Sequence, residues 1–172
     1  MLYYIIYVMS QTFYIFRHGE TFATKAGTGY GDQILTAGIL EEGRPTIEKM
    51  ARYLKNIPTD YNVSSEINRC KQTSEIVSKI TGKQFVFDER LNEVYMETFQ
   101  NVTDRLNSLL SEIKAQNYNR ILICTHGAII GTLLGFFTDQ KFEEQDLFNF
   151  PPPGVLTIVK ENQIEQINFN QV

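Results

Sequence analysis

At 172 residues, with 42% apolar and 12% aromatic side chains, the chain is long enough to bury one substantial core and too short for two ordinary domains. A formal net charge of -4 excludes the broad basic surface that nonspecific nucleic-acid binding needs, and no charge block or low-complexity tract marks a disordered tail. The two cysteines, Cys70 and Cys124, do not make a disulfide scaffold, and a reduced, cytoplasmic setting is expected.

The chain opens on the apolar run MLYYIIYVM, residues 1–9. It is too short to span a bilayer and lacks the basic flank and cleavage site of a secretory signal, so no membrane partner is expected. It reads as a strand-like extension of a single domain over residues 1–172, or as preceding a working start at Met9. Residues 12–16 are β-rich and apolar, as suits a central parallel strand. Glycine and threonine crowd the stretch ATKAGTGYGDQ, residues 23–33, which reads as a loop. Pro45 suits the first turn of a helix in which Ile47, Met50, Ala51 and Leu54 recur at helical spacing. A short strand over 61–63 precedes a helix over 68–80 that Gly82 ends. Another strand over 85–87 leads into DERLNEVYMETF, and Val102, Leu106, Leu109, Leu110 and Ile113 mark the apolar face of a third helix.

A strand over 121–124 leads to His126, and an apolar helix follows over 128–137. Pro151, Pro152 and Pro153 break the chain. Beyond them, strands over 155–159 and 164–169 flank a turn at Glu161 and Asn162. Strands alternating with helices, closed by a hairpin, predict a three-layer α/β/α sandwich with a mostly parallel central sheet.

Both histidines of the chain end an apolar run and precede a glycine, in TFYIFRHGET and RILICTHGAI. Open α/β sheets present their chemistry where such runs end, so His18 and His126 are expected in one cleft. Arg17 and Arg69 add two guanidiniums, and the set suits a phosphoryl group. A neutral imidazole is a competent nucleophile near neutral pH, and a carboxylic acid of raised pKa can protonate a leaving alkoxide. No histidine, cysteine and carboxylate cluster has the spacing of a metal site, so neither metal nor other cofactor is expected.

The segments RHGET, SSEINRCKQTS, RLNEVYMETF and ICTHGAIIGTLLG together resemble the motifs of the histidine phosphatase superfamily, the group that includes phosphoglycerate mutase-like enzymes. The resemblance spans about residues 12–159. It implies the phosphoglycerate mutase-like fold, with His18 as nucleophile through a phosphohistidine, and Arg17, Arg69 and His126 on the phosphoryl oxygens. It implies Glu93 as proton donor, while the recurrence of Glu89, Glu93 and Glu97 is also that of a solvated helical face. Glu97 and Glu20 are the alternative donors. TGYGD resembles the substrate loop of the mutase branch, which brings Thr28 and Gly29 to the phosphate, and Thr24 stands where that branch has asparagine. The insertion that covers the site in mutases is missing after Glu93, so an open phosphatase is expected, acting on a phosphorylated small molecule or protein. The alternatives are a mutase-type phosphotransferase and a non-catalytic anion-binding module. Tyr95, Met96, Phe99 and Phe22 are candidates for the rim of the entrance.

Overall fold

Two adjacent runs alternate in step: Phe13 and Ile15 share one side of a sheet with Ile121 and Ile123, while Phe16 faces the other side with Leu122 and Cys124. A sheet apolar on both faces must be covered twice. A computed structural model describes residues 11–171, and there helices do cover both faces. The apolar residues 1–9 lie outside the described region.

The elements run β1 (Thr12–Arg17), α1 (Phe22–Ala26), α2 (Arg44–Leu54), β2 (Tyr61–Ser64), α3 (Asn68–Thr81), β3 (Val86–Phe87), α4 (Phe99–Ala115), β4 (Arg120–Thr125), α5 (Gly127–Asp139), β5 (Val155–Lys160) and β6 (Gln163–Asn168). Among the described residues they build a six-stranded sheet in the order β3-β2-β4-β1-β5-β6. The pairs β3·β2, β2·β4 and β4·β1 are parallel, and the closing hairpin of β5 and β6 is antiparallel. Helices α4 and α5 pack on one face through Val102, Leu106, Leu109, Ile129, Leu133 and Phe137. Helices α2 and α3 cover the other through Ile47, Met50, Leu54, Ile76 and Val77. The result is an α/β/α sandwich with a mostly parallel sheet. Glu161 and Asn162 turn the hairpin with φ of 51° and 62°, the left-handed pair that matches strand twist.

Two segments depart from the sequence expectation. The stretch read as a loop over 23–33 begins inside α1, because Thr21 and Thr24 close a capping box and Gly27, at φ 65°, takes the left-handed position that stops the helix. The acidic segment around Glu89, Glu93 and Glu97 is no solvated helical face. Only Glu89–Leu91 forms a 3₁₀ turn, and the chain then runs irregularly to α4.

Gly131 in α5 is an informative site. A 3₁₀ segment, Glu144–Phe148, lies against α5 so closely that a Cβ at Gly131 would overlap the carbonyl oxygen of Asp146. Gly to Ala within a helix ordinarily stabilises by about 1 kcal/mol, but backbone cannot yield as a flexible side chain does. We therefore expect Gly131→Ala to destabilise the fold by about 1–3 kcal/mol in urea unfolding. A stabilised variant would show that the segment does not pack there.

Candidate active site

The parallel strands deliver the site at their carboxyl ends. Pairing of β1 with β4 aligns Arg17 with Thr125, and His18 N–H then donates to Thr125 O at 3.0 Å, so the two histidines emerge side by side. Pairing of β2 with β4 aligns Ser64 with Cys124, and Ser65 N–H donates to Cys124 O at 3.0 Å, which sets Ser65 beside His126. Thr125 Oγ1 donates to Leu91 O at 2.7 Å and fastens the segment that carries Asn92 and Glu93.

The two imidazole rings lie 5.3 Å apart, centroid to centroid, and both are fully buried. His18 Nδ1 lies 2.9 Å from Gly19 O. A carbonyl only accepts, so this contact assigns the proton to Nδ1 and leaves the lone pair on Nε2. The hydroxyl of Tyr30 stands 3.4 Å from that Nε2 and 3.0 Å from Thr21 Oγ1. Burial holds the His18 pKa well below its ordinary value, and the guanidiniums of Arg17 and Arg69 press it the same way. The His126 pKa is likewise held well down by burial, then by His18, Arg69 and Arg17.

Arg69, on the first turn of α3, has no exposed surface. Its Nη1 donates to Ile34 O at 2.5 Å, its guanidinium lies 4.2 Å from the centre of the Tyr30 ring, and Nη2 reaches Glu93 Oε2 at 3.5 Å. Arg17 lies over the Phe150 ring at 4.9 Å. Among the described residues the buried Nε–H groups of both arginines have no acceptor, which is uncommon for a strong donor.

Glu93 is the carboxylate of this cluster, its side chain 13% exposed and its Oε2 3.6 Å from His126 Nδ1. Burial raises its pKa, against the opposing pull of Arg69 and Arg17. The alternative donors are placed otherwise. Glu97 is held by Arg105 at 2.6 Å and 3.2 Å, and Glu20 lines a separate surface cavity with Thr24 and Glu42.

The structure thus brings His18, His126, Arg17, Arg69 and Glu93 together, and it does not bring the expected phosphate-binding residues Thr24, Thr28 and Gly29 with them. Thr24 Oγ1 accepts from Thr21 N–H and donates to Thr21 O, so the capping box uses its hydroxyl. Thr28 is exposed, and its N–H donates to Ala23 O. Gly29 is exposed, and a side chain there would meet nothing within 4 Å. From this segment it is Tyr30 that enters the site. Tyr30, Ser65 and Asn92 all escaped the sequence reading. The signal was present, since Tyr30 ends GTGY, Ser65 belongs to the SS pair and Asn92 directly precedes Glu93. Of the expected rim residues, Phe22 packs edge-on against Tyr30, while Tyr95 and Met96 are 45% and 90% exposed. Among the described residues no group of three His, Cys, Asp or Glu side chains could hold a metal ion, and no helix is long and apolar enough to cross a membrane.

The chain belongs to the histidine phosphatase superfamily (branch 1), whose model matches residues 13–100 and 95–168. It is 30% identical over 122 residues to Escherichia coli "Probable phosphoglycerate mutase GpmB", a match that covers 70% of this chain and 52% of that protein. The chain thus spans about half the length of the curated relatives it matches. Among solved structures it resembles a mycobacterial glucosyl-3-phosphoglycerate phosphatase in complex with VO3, with TM-score 0.76, 17% identity and coverage of 91% of this chain and 96% of that one. It also resembles the alpha-ribazole phosphatase of Shigella flexneri, with TM-score 0.74, 16% identity and coverage of 92% and 95%. A phosphoglycerate mutase from Bacillus anthracis gives TM-score 0.71 at 14% identity over 93% and 94%. At these identities the structural likenesses establish the phosphoglycerate mutase-like fold.

The buried imidazoles also make stability depend on pH. Their folded pKa values lie below the unfolded value of about 6.5, so below that pH the unfolded chain binds protons that the folded chain refuses. The stability they contribute above pH 6.5 is therefore lost as pH falls. We expect urea unfolding between pH 7 and 5.5 to show a decline of up to about 1.4 kcal/mol per pH unit for each imidazole. The decline should be shallower in the double variant His18→Asn, His126→Asn, and equal slopes would contradict the burial account.

Proposed function

We propose that this chain is a phosphomonoester hydrolase acting through a phosphohistidine on His18. His18 Nε2 attacks phosphorus as the ester P–O bond breaks, and Glu93, starting protonated, gives its proton to the leaving oxygen. Glu93, now a carboxylate, takes a proton from the water that attacks the phosphohistidine, so phosphate leaves and both side chains return to their starting forms. Arg17, Arg69 and His126 hold the phosphoryl oxygens, where fixed positive charge stabilises a loose transition state.

The observation that carries this reading is the buried pair of imidazoles at 5.3 Å, with Arg69 and Glu93 closed around them. The acceptorless Nε–H groups of Arg17 and Arg69 support it, since an oxyanion supplies the acceptors. A phosphoryl group in line with Nε2 takes the place of the Tyr30 hydroxyl, which keeps Thr21 Oγ1 as its partner.

The side on which the leaving group emerges bears on hydrolase against mutase. Beside Glu93 lies a groove of about 330 Å³ lined by Leu35, Ile67, Tyr95, Arg90, Glu97 and Arg105. Its cations are engaged: Arg90 pairs with Asp88 and Glu112, and Arg105 with Glu97. A second anionic group, such as the carboxylate of phosphoglycerate, finds no free partner there. From Glu93 the chain reaches α4 through residues 94–98, with Tyr95 and Met96 exposed, so water has access on this side. A mutase must keep water from its phosphorylated intermediate. The geometry therefore favours hydrolysis over the mutase reading that the 30% identity to the "Probable phosphoglycerate mutase GpmB" raises. The substrate is a phosphorylated small molecule or protein, and the free, buried Cys70 and Cys124 fit a reducing, cytoplasmic setting.

The test is phosphate release from p-nitrophenyl phosphate and from an alkyl phosphate in the presence of EDTA. We expect turnover of both, loss of both in His18→Ala, and an acid-labile phosphoryl label on His18 in the unaltered protein. Glu93→Gln is expected to slow the alkyl ester about 10²–10⁴-fold and the nitrophenyl ester far less, because nitrophenolate leaves without a proton. With the alkyl ester kcat/KM should fall as pH rises through the raised pKa of Glu93, since only the protonated carboxyl donates. Full activity in His18→Ala would overturn the mechanism, and isomerisation of 3-phosphoglycerate faster than phosphate release would favour the mutase.

A further inference from the structure

Behind His126 runs a short chain of hydrogen bonds whose directions are fixed by obligate donors. The backbone N–H of Glu66 donates to Asn92 Oδ1 at 3.1 Å, so Asn92 presents its carbonyl oxygen and not its amino group. Ser65 Oγ lies 2.8 Å from the same oxygen and must donate its one proton to it. The backbone N–H of Ile67 donates to Ser65 Oγ at 3.2 Å and takes one lone pair. The remaining lone pair faces His126 Nε2 at 2.8 Å, and a lone pair accepts only from N–H. Nε2 therefore carries the proton, and in the neutral ring Nδ1, which faces Glu93, is bare.

We infer that Ser65 and Asn92 are positioning residues that lock His126 in its Nε2–H form, so that an oxyanion is held through Nδ1 only when one proton is taken up with it. The inference rests on the phosphoryl-site reading above and deepens it. The proton comes from solvent, a new N–H bond forms at Nδ1, and the ring becomes an imidazolium that donates to the bound oxygen from Nδ1 and to Ser65 from Nε2. No other bond changes.

The charged and titratable groups that face His126 set the direction of this coupling. Arg17 and His18 come from the end of β1, Arg69 and Cys70 from α3, Glu93 from the segment before α4, and Arg105 from α4. The guanidiniums and burial keep the empty ring neutral, whereas a dianion beside Nδ1 cancels their field and draws the proton in. Removing the Ser65 hydroxyl releases the lock. Among the described residues Nε2 then keeps the Cys70 sulfur at 3.5 Å, a thiol that can donate to a bare Nε2, and a neutral ring is free to present Nδ1–H to the anion.

Sulfate is the probe, because it stays a dianion throughout the working range. In the unaltered protein, calorimetric titration in buffers of different ionisation heat is expected to show uptake of about one proton per sulfate, with affinity falling up to tenfold per pH unit between pH 6.5 and 8. In Ser65→Ala uptake should drop by about one proton and the pH dependence should flatten, while Ser65→Thr restores both. A residue that merely supports the fold would weaken binding equally at every pH. The ¹⁵N shifts of His126 in the unliganded, unaltered protein give a second readout that needs no variant, and they should report Nε2 protonated and Nδ1 bare. An Nδ1–H tautomer, or equal proton uptake in folded Ser65→Ala, overturns the lock. Failure of sulfate to bind at all overturns the phosphoryl-site reading instead, and the ¹⁵N spectrum still decides the tautomer.

Discussion

Arg69 is wholly buried and close to two imidazoles, and after burial itself its charge, with that of Arg17, bears on the protonation of both rings. Removing such an ion from water costs several kcal/mol unless neighbours replace its hydration. Here the replacement is partial. Ile34 supplies a carbonyl, Tyr30 a ring face and Glu93 a carboxylate oxygen at 3.5 Å, while Nε–H has no acceptor among the described residues. A second guanidinium, Arg17, acts on the same space and feels the same Glu93 carboxyl. Two fixed positive charges against one carboxyl leave a surplus that only an anion relieves. Burial first, and this surplus after it, keep both imidazoles unprotonated, which in the proposed mechanism is the useful state of the attacking nitrogen.

Sheet register is what makes such crowding possible. β1 and β4 are distant in sequence, yet pairing Arg17 with Thr125 puts the residues that follow them at adjacent positions on one edge. β2 does the same for Ser65, and the hydrogen bond from Thr125 to Leu91 brings in Glu93. Each side chain is held by an element whose own apolar face is locked in one of two cores. A shift of one residue in β1 or β4 would exchange its side chains between the two cores and displace the site residues at its end. Packing of Ile15, Ile121 and Ile123 therefore helps to fix the geometry of the candidate site.

This also explains which parts of the molecule were legible in the sequence. Strand ends were visible because each histidine closes an apolar run, and the helices were visible because Ile47, Met50, Leu54 and Leu106, Leu109, Ile113 recur at helical spacing. Segment 21–33 was opaque for a different reason. Its conformation depends on a hydroxyl-to-backbone exchange between Thr21 and Thr24, which leaves no periodic trace and withdraws Thr24 from the role expected of it. Tyr30 enters the site because its ring covers a buried guanidinium and its hydroxyl meets Thr21, contacts made across a turn. Ser65 and Asn92 are polar residues beside motif positions, and only the direction of their hydrogen bonds distinguishes them from ordinary loop fasteners.

Those directions give the site an unusual proton inventory. His18 spends its N–H on Gly19 O and His126 spends its own on Ser65 Oγ, so both rings turn lone pairs toward the shared space. Protonation therefore does not distinguish their roles, and what each bare nitrogen faces does. The His18 lone pair faces the Tyr30 hydroxyl at 3.4 Å, where the proposed mechanism puts the phosphoryl group. The His126 lone pair faces the carboxyl of Glu93, whose burial favours its protonated form. Were Glu93 beside His18 instead, its carboxyl would hydrogen-bond the nitrogen that the proposed mechanism uses for attack. In the proposed mechanism, holding the acid next to the second imidazole keeps nucleophile and proton apart until a phosphoryl group lies between them.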